Sequence, residues 1–448
     1  MDFIPDTFST FRFVSTSYDH IKRSVELRYA LDDKFYFTER YVFPKPFQEN
    51  WEVNQKALEK IINLLHLAVG VSYFKTAVPP KIEIKNQTLS KDTAEFFNTL
   101  YLNGLGEFAF RNKISLKGKI NFPYSENVKD ESITCTLPRL TAVPLGGGKD
   151  SIVTLEALLK AKEPIIPIAL GNYKVINEVA ECRKLPLPII ERHLDPQLME
   201  LNKAGAYNGH VPISAIIVFT LATAAILCGF DTIAISQERS ANEANVEMDG
   251  LKINHQYSKS FEVEKKIQDL LQNQIPNLRY FSLLRPLSEL AICKLFAKKC
   301  ESYHHSFSSC NRSFSMSNPL PRGTHWCGNC PKCRFIFLAL APFMEKENLI
   351  SIFQKNLLNN EAQKQGYLEL LGLTGHKPFE CVGEINESRL AFALVAEKSE
   401  WQNDLLITEI KNLVKGELKD WLNSQNEILQ PSNIDAMPST YREILNAF

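Results

Sequence analysis

Residues 1–50 alternate apolar and polar side chains in short runs, a pattern that predicts β-strands. The runs cover residues 11–15, 23–30 and 35–42, with Asp32-Asp33 as a turn. Helical spacing follows over residues 57–69 and 91–105, and residues 82–84 form a short strand between them. This section predicts a small α+β domain over residues 1–138, in which no catalytic motif stands out.

The pattern changes near residue 140, where apolar strands begin to alternate with helices. The predicted strands cover residues 141–145, 165–170, 188–192 and 232–236. The predicted helices cover residues 152–162, 177–183, 213–227, 261–271 and 288–300. Near-continuous apolar strands that alternate with helices are typical of a parallel sheet covered on both faces. We therefore predict an α/β domain over residues 139–345 and a helical region over residues 346–448.

One apolar run tests whether the chain crosses a membrane. Residues 211–230 are apolar over a length that can span a bilayer. The run has Pro212 near its start, stops at Gly229, and lies between two predicted strands. These features are typical of a buried crossover helix. We therefore predict a core helix and no membrane partner.

Composition and charge narrow the function classes. A chain of 448 residues is too long for one core and suggests two or three domains. Lys plus Arg number 51 and Asp plus Glu number 51, so the net charge is zero, which disfavours a dedicated nucleic-acid binder. Residues 1–6 lack the basic and apolar parts of a secretory signal, which predicts the cytoplasm. In that reducing compartment, clustered cysteines indicate metal binding or catalysis rather than disulfides.

A glycine-rich loop follows the first strand of the predicted α/β domain. It consists of Gly146, Gly147, Gly148, Lys149, Asp150 and Ser151. Three glycines let the backbone approach a phosphate, and the next helix points its free N–H groups at the same place. Ser151 adds a hydroxyl donor, Asp150 suits a divalent cation or a helix cap, and Lys149 can point to phosphate or to solvent. A glycine turn that caps an ordinary helix is the alternative.

This loop departs from the Walker loop and from the dinucleotide-binding loop. It resembles the PP-loop of the ATP-pyrophosphatase superfamily, whose usual string is Ser-Gly-Gly-x-Asp-Ser, with Gly146 in place of the first Ser. The resemblance implies an adenine nucleotide alpha hydrolase-like domain. It also implies that ATP, with Mg²⁺, is cleaved between its α and β phosphates to leave an adenylated substrate. Asp150 would then be catalytic, and residues 146–151 would contact ATP.

Two polar segments, residues 208–212 and 236–243, fall where loops at the carboxyl edge of the sheet are expected. Glu238 can hold magnesium or act as a base, and Arg239 can neutralise a phosphate or a substrate carboxylate. His210 is a candidate acid or base, although a histidine in such a place is often hydrogen-bonded and structural. A solvated, charged loop is the alternative for each segment.

A cysteine cluster follows the predicted α/β elements. Cys327, Cys330 and Cys333 stand at two-residue spacing, and Cys310 can supply a fourth thiol. Four thiolates suit a closed tetrahedral zinc site, and a similar distal cluster occurs in a PP-loop enzyme that makes a deazaguanine nitrile. An iron–sulfur cluster and free thiols in a tight turn are the competing interpretations. Three histidines are alternative ligands: His304, His305 and His325.

Taken together, the motifs resemble one family over nearly the whole chain. They are Phe11-Arg12-Phe13, Leu27-Arg28-Tyr29-Ala30, the string from Gly147 to Ser151, Asn208-Gly209-His210-Val211-Pro212, the string from Ser236 to Asn242, and the string from Trp326 to Cys333. They look like the bacterial MurL family, the UDP-N-acetylmuramoyl-L-alanyl-L-glutamate epimerases. The resemblance thins past about residue 350.

The MurL resemblance implies a cytoplasmic step of peptidoglycan precursor synthesis. The terminal L-glutamate of a UDP-sugar peptide would be inverted to D-glutamate while ATP becomes AMP and pyrophosphate. Adenylation removes the carboxylate charge that resists loss of the α-proton, so that a base and an acid can then invert the centre. Glu238, His210 and Cys310 are the candidate proton carriers.

Three other functions fit parts of the same sequence. A PP-loop enzyme that modifies a nucleobase or tRNA, such as a deazaguanine nitrile synthase or a thiolase, would account for the cysteine cluster. A ligase would add an amine to the adenylated acid and would require a nitrogen donor. A nucleotide-binding regulator would bind ATP without releasing pyrophosphate.

Overall fold

The computed structural model of the chain describes residues 3–243, 245–248, 251–314, 320–321 and 323–448. The strands within these residues are β1 Thr10–Asp19, β2 Ser24–Leu31, β3 Phe35–Val42, β4 Lys81–Ile84, β5 Thr141–Pro144, β6 Ile165–Leu170, β7 Ile189–His193, β8 Thr232–Ile235, β9 Val246–Met248, β10 Leu251–Ile253 and β11 Arg279–Ser282. The helices of the first half are α1 Gln55–Val69, α2 Val71–Phe74, α3 Lys91–Gly104, α4 Gly106–Asn112, α5 Lys149–Lys160, α6 Lys174–Glu181, α7 Pro196–Lys203 and α8 Ile213–Cys228. The later helices are α9 Phe261–Gln274, α10 Glu289–Lys299, α11 Pro331–Leu340, α12 Lys346–Phe353, α13 Lys364–Leu370, α14 Ile385–Glu397, α15 Leu405–Leu413, α16 Leu418–Asn423, α17 Gln425–Leu429 and α18 Ser439–Ala447.

One large sheet organises the fold. Its nine strands lie in the order β11-β8-β5-β6-β7-β3-β2-β1-β4, and β9 pairs with β10 separately. The first five strands of that order run parallel to one another. The predicted α/β class with a mainly parallel sheet is confirmed. The edge strand β11, Arg279–Ser282, was not predicted.

The N-terminal strands join the same sheet. β1, β2 and β3 form an antiparallel meander, and β3 continues the order by pairing antiparallel with β7. The pairs Arg40 with His193 and Val42 with Glu191 make this junction. Residues 1–138 therefore supply four of the nine strands, β1 to β4.

Alternation along the parallel strands divides the apolar core between two faces. Ile168 belongs to one core and Ala169 to the other, and Tyr280 and Phe281 divide in the same way. α1, α3, α8 and α9 cover the first face, while α5, α6, α10, α11 and α14 cover the second. Each core contains residues from distant parts of the chain. The division between the cores therefore follows the two faces of the sheet and not the order of the sequence.

The apolar run near residue 220 forms the predicted buried helix. α8 is buried along nearly its whole length and packs against α1. Within the described residues, one stretch, Gln55–Phe74, is long and apolar enough to cross a membrane, and 83% of its apolar window is buried inside the fold. A core helix meets the same criteria of length and composition, so this stretch is weak evidence for a span.

Candidate active site

The glycine loop lies between β5 and α5 and packs under the segment 308–310. Gly147 has φ +75°, in the left-handed region that favours glycine. Its carbonyl accepts a 2.9 Å hydrogen bond from the backbone N–H of Ser308. A Cβ on Gly148 would lie 2.9 Å from the Ser309 hydroxyl, whereas a Cβ on Gly146 would have no described heavy atom within 4 Å. Gly146 therefore faces the open side of the loop.

Lys149 is held inside the protein in this structure. Its side chain is 1% exposed, and its Nζ contacts the carboxylates of Asp150 and Glu289. Burial favours the neutral amine, but these two charges outweigh it and raise the pKa of Lys149 well above its ordinary value. Asp150 remains 27% exposed, so it is the charged group of the loop that a ligand can reach.

Ser151 closes the first turn of α5. Its hydroxyl donates to the Gly148 carbonyl at 3.0 Å and lies 3.4 Å from the Gly146 N–H. The hydroxyl is therefore engaged with the backbone of the loop and stands at the N-terminal end of the helix.

Glu238 follows β8 and is buried, with 2% of its surface exposed. Among the described residues, its Oε1 atom has no hydrogen-bond partner. A buried carboxylate oxygen without a partner is costly unless it meets a ligand or water. Glu238 therefore has the position expected of a group that acts on something bound.

Arg285 holds the Glu238 loop in place, and the sequence analysis missed it. This arginine is buried and pairs with Glu264 at 2.7 Å. Its guanidinium also donates to the carbonyls of Glu238 at 2.6 Å and Lys259 at 2.7 Å, and to the Gln237 side chain at 3.0 Å. The sequence does contain a signal for it, because Arg285 is a charged residue within the mainly apolar run of residues 281–287.

Arg239 contacts the C-terminal tail in this structure. Its guanidinium donates to the backbone carbonyls of Glu427 at 3.3 Å, Ile428 at 2.8 Å and Gln430 at 3.4 Å. The described contacts of Arg239 are therefore with residues near α17 and not with the glycine loop.

His210 lies beside a second histidine, His255, which sequence reasoning overlooked. Their ring centroids are 4.4 Å apart, and both face Glu107 on α4, whose Oε2 contacts His255 and lies 3.8 Å from His210. Burial and the nearby charge of His255 lower the pKa of His210 to about 4. Burial opposes the charge on His255 itself, but Cys381 and Glu107 raise its pKa to about 9.

These three side chains lie within 4.8 Å of one another, a spacing that a metal ion also needs. A histidine must be neutral to bind a metal, whereas the surroundings of His255 favour the cation. The arrangement therefore fits a hydrogen-bonded relay better than a metal centre.

Cys381 completes this cluster from the segment between α13 and α14. Burial would raise the pKa of its thiol, but Lys259, Lys332 and His255 outweigh burial and lower that pKa to about 6. The neighbouring backbone is tied down by two hydrogen bonds. They run from the Asn245 side chain to Pro378 at 2.9 Å and from the Gln256 side chain to Val382 at 3.4 Å.

The four cysteines of the predicted cluster converge. Their sulfur atoms lie within 4.8 Å of one another, with Cys327 3.6 Å and Cys330 3.4 Å from Cys333. Hydrogen bonds from the other thiols lower the pKa of Cys327 well below its usual value. Cys310 ends the segment that covers the glycine loop, so the cluster joins that segment to the start of α11.

Two of the alternative histidine ligands have other partners. His325 contacts Glu178 at 2.6 Å, and His304 lies 3.4 Å from the Phe296 carbonyl. The described donor set at the cluster is therefore four sulfurs, which suits zinc or an iron–sulfur centre.

Comparison with known families accounts for most of the chain. The family model described as the MurL N-terminal domain matches residues 2–283, and the one described as the MurL C-terminal domain matches residues 306–425. The chain belongs to the MurL family. The resemblance predicted from the sequence motifs is thereby confirmed.

Three relatives carry the name UDP-N-acetyl-alpha-D-muramoyl-L-alanyl-L-glutamate epimerase. The relative from Xanthomonas oryzae pv. oryzae is 44% identical over 402 residues, which cover 89% of this chain and 88% of the relative. The relative from Salinispora tropica is 36% identical and covers 98% of this chain and 95% of its own length. The relative from a Micromonospora strain is 37% identical over 97% of both chains.

Both MurL domains contribute to the candidate site. The N-terminal match contains the glycine loop, Glu107, His210 and His255, and the C-terminal match contains Cys381 and the four clustered cysteines. Folding brings these groups together across more than half of the sequence.

Proposed function

We propose that this chain is an epimerase that inverts the terminal L-glutamate of UDP-N-acetylmuramoyl-L-alanyl-L-glutamate. The observation that carries the proposal is MurL membership in both parts of the chain, together with relatives that share the epimerase name over nearly their full length. The partner is then a small UDP-sugar peptide, not a nucleic acid or a membrane. The reaction belongs to peptidoglycan precursor synthesis in the cytoplasm.

The reaction we propose uses ATP, and the loop is of the PP-loop type. The α-proton of a glutamyl residue is weakly acidic while its carboxylate is charged, and adenylation removes that charge. Gly146 on the open side of the loop and the N-terminus of α5 supply backbone donors suited to phosphate. Asp150, which remains 27% exposed, would hold Mg²⁺ and so neutralise phosphate charge.

For one proton carrier we propose Glu238. Its buried Oε1 lacks a partner among the described residues, as expected of a base that waits for a substrate proton. Cys310 suits this role less, because its sulfur belongs to the four-cysteine cluster. His210 is neutral near pH 7, with a pKa of about 4, and its neighbour His255 carries the charge.

For the four cysteines we propose a structural zinc site formed by Cys310, Cys327, Cys330 and Cys333. Zinc would fix the segment 308–310, which bonds to the glycine loop through Ser308 and Gly147. Metal analysis of the purified protein should find one zinc per chain, and Cys333→Ala should lose it together with several degrees of melting temperature. Visible absorbance from iron and sulfide would favour the iron–sulfur alternative instead.

The deciding experiment offers ATP, magnesium and the UDP-muramoyl dipeptide to the purified protein. Pyrophosphate and AMP are measured together with the chirality of the recovered glutamate. We expect D-glutamate with pyrophosphate release, and we expect Asp150→Ala to abolish both. Asp92→Ala is the matched control, because Lys91-Asp92-Thr93 begins α3 as Lys149-Asp150-Ser151 begins α5.

The other outcomes point to the alternatives. Pyrophosphate without inversion would keep the loop chemistry and move the substrate to a nucleobase acid, to tRNA or to a ligase reaction with a nitrogen donor. Binding of ATP without pyrophosphate under any of these conditions would indicate a regulator.

A further inference from the structure

Glu107, His255 and Cys381 lie outside both the glycine loop and the cysteine cluster. Glu107 contacts Nδ1 of His255, and the side chain of the next residue, Gln256, donates to the carbonyl of Val382, next to Cys381, at 3.4 Å. The Cys381 thiol and the His255 ring interact electrostatically. A thiol beside an imidazole that a carboxylate orients is the arrangement by which proteins activate a cysteine. Glu107 is 5% exposed and His255 is 14% exposed, so water screens these groups only weakly.

Cys381 is fixed from both sides. The ring of Phe379 lies 5.1 Å from the guanidinium of Arg111 on α4, and Lys377 pairs with Glu243. On the far side, the Glu380 carboxylate accepts hydrogen bonds from Asn311 at 2.7 Å. The segment that carries the thiol therefore contacts α4 on one side and Asn311, next to Cys310 of the cysteine cluster, on the other.

Lys259 connects this thiol to the rest of the site. Its ammonium group interacts electrostatically with Cys381 and with Glu238, and also with Asp150 of the glycine loop. Its backbone carbonyl accepts from Arg285, the same buried arginine that holds the Glu238 carbonyl. One rigid arginine therefore sets the spacing between Lys259 and Glu238, and the lysine faces both Glu238 and the thiol.

We propose that Cys381, oriented by His255 and Glu107, is the second proton carrier of the epimerisation, opposite Glu238. This inference rests on the proposed function and names the group that its chemistry requires. The substrate α-carbon would lie between the thiol and the Glu238 carboxylate, with the Lys259 ammonium beside it. His255 and Glu107 act through the thiol and are positioning residues.

The proton transfers balance. The Glu238 carboxylate forms a bond to the α-hydrogen while the Cα–H electron pair moves into the carbonyl of the activated carboxyl group. The Cys381 sulfur delivers a proton, which the His255 imidazolium replaces, to the opposite face of Cα, and the electron pair returns to carbon. Lys259 stabilises the negative charge in between. Both carriers then recover their starting forms by exchange with water.

The test compares proton transfer at Cα with pyrophosphate release in the same variant. Cys381→Ser is incubated in D₂O with ATP, magnesium and the UDP-muramoyl dipeptide, and deuterium at Cα of the inverted D-glutamate is measured beside pyrophosphate release. We expect deuterium incorporation to fall at least ~100-fold, the usual contribution of a proton carrier, while the first turnover of pyrophosphate release changes by less than ~3-fold. Cys182→Ser is the matched control, because this half-buried thiol contacts Ser306 and the Glu178 carbonyl away from the proposed carriers.

Different failures have different meanings. Wild-type levels of deuterated D-glutamate in Cys381→Ser would overturn this proposal and leave the proposed function intact. Equal loss of both steps in a variant that melts normally would also overturn it, because the residue would then be needed before proton transfer. Absence of pyrophosphate and inversion in the wild type would remove the proposed function itself.

A second measurement covers the case in which the variant does not fold. Wild-type protein is treated with iodoacetamide at pH 7, and the alkylated peptides are mapped by mass spectrometry. Cys381 should react faster than Cys182, and the dipeptide with a non-hydrolysable ATP analogue should slow the reaction at Cys381 at least ~10-fold. Unchanged reactivity with both ligands bound would overturn the proposal.

Discussion

Lys149 carries a positive charge inside the protein, where it faces Asp150 and Glu289. A sequence motif places a lysine in the loop, but only its burial shows that the charge is used to balance two carboxylates. Removal of one member of a buried group of charges leaves the others uncompensated.

We therefore expect Lys149→Met to lower the free energy of unfolding by about 3–5 kcal/mol. Lys174→Met is the control, because Lys174 also begins a helix but is 73% exposed and pairs with Glu178 on the surface. The control should lose at most about 1 kcal/mol. Denaturant unfolding of both variants measures the difference, and equal losses would contradict the buried-charge assignment.

The charge on His255 makes stability depend on pH. Its pKa rises from 6.5 to about 9 through Cys381 and Glu107, in spite of its burial. A raised pKa means that the folded state binds the proton more tightly than the unfolded state. The stabilisation is therefore complete below pH 6.5 and is lost as the pH rises through about 9.

We expect the stability difference between the wild type and His255→Gln to shrink by about 3 kcal/mol over that window. Denaturant unfolding at several pH values measures it. His193→Gln is the control, because His193 pairs with Glu191 but is 45% exposed. A difference from the wild type that stays constant with pH in His255→Gln would show that the proton on His255 does not stabilise the fold.

At the scale of elements, two glycines of the β5–α5 loop differ in what their positions require. Gly147 has a positive φ, and a Cβ there would lie 3.0 Å from Val175 on α6. Gly146 has neither constraint, since no described atom lies near its missing Cβ. Conformation therefore accounts for Gly147, and the ATP-binding proposal predicts that Gly146 leaves room for a phosphate.

We expect Gly147→Ala to cost about 1–2 kcal/mol of stability through its left-handed backbone. Gly146→Ala should change stability by less than about 0.5 kcal/mol yet weaken ATP binding at least ~10-fold. Thermal melting and titration calorimetry with ATP separate the two effects. Normal ATP affinity in Gly146→Ala would contradict the phosphate-binding assignment.

At the scale of the whole molecule, the sheet makes residues 1–138 part of the same structure as the glycine loop. β3 covers the edge of β7, and α1 covers α8 on one face of the sheet. Without the N-terminal residues, a strand edge and an apolar helix face would be exposed.

We expect residues 139–448, expressed alone, to aggregate or to bind a hydrophobic dye strongly. Co-expression with residues 1–138 as a separate chain should restore a soluble complex, which size-exclusion chromatography would detect. A truncated chain that is monomeric and melts cooperatively would contradict this dependence.

The sequence alone determined the features that depend on residues close together in the chain, namely helices, strands and short motifs. Residue period predicted most strands and the longer helices before residue 300, including the buried α8, and the parallel arrangement followed from their order. The glycine string and the Cys-x-x-Cys spacing indicated the two candidate centres, because each would function through neighbours within a few residues. The same motifs indicated the MurL family, which the family comparison confirms.

Only the tertiary structure decided how distant groups meet. Glu107, His255 and Cys381 lie far apart along the chain and have no shared spacing, so no local pattern could join them. The role of Arg285 and the burial of Lys149 could not be predicted for the same reason. The sequence does not show which residue a charged side chain pairs with until the fold positions both. The union of the N-terminal strands with β7 was also undetermined, because a strand's period fixes which side chains share a face but not which strand it pairs with.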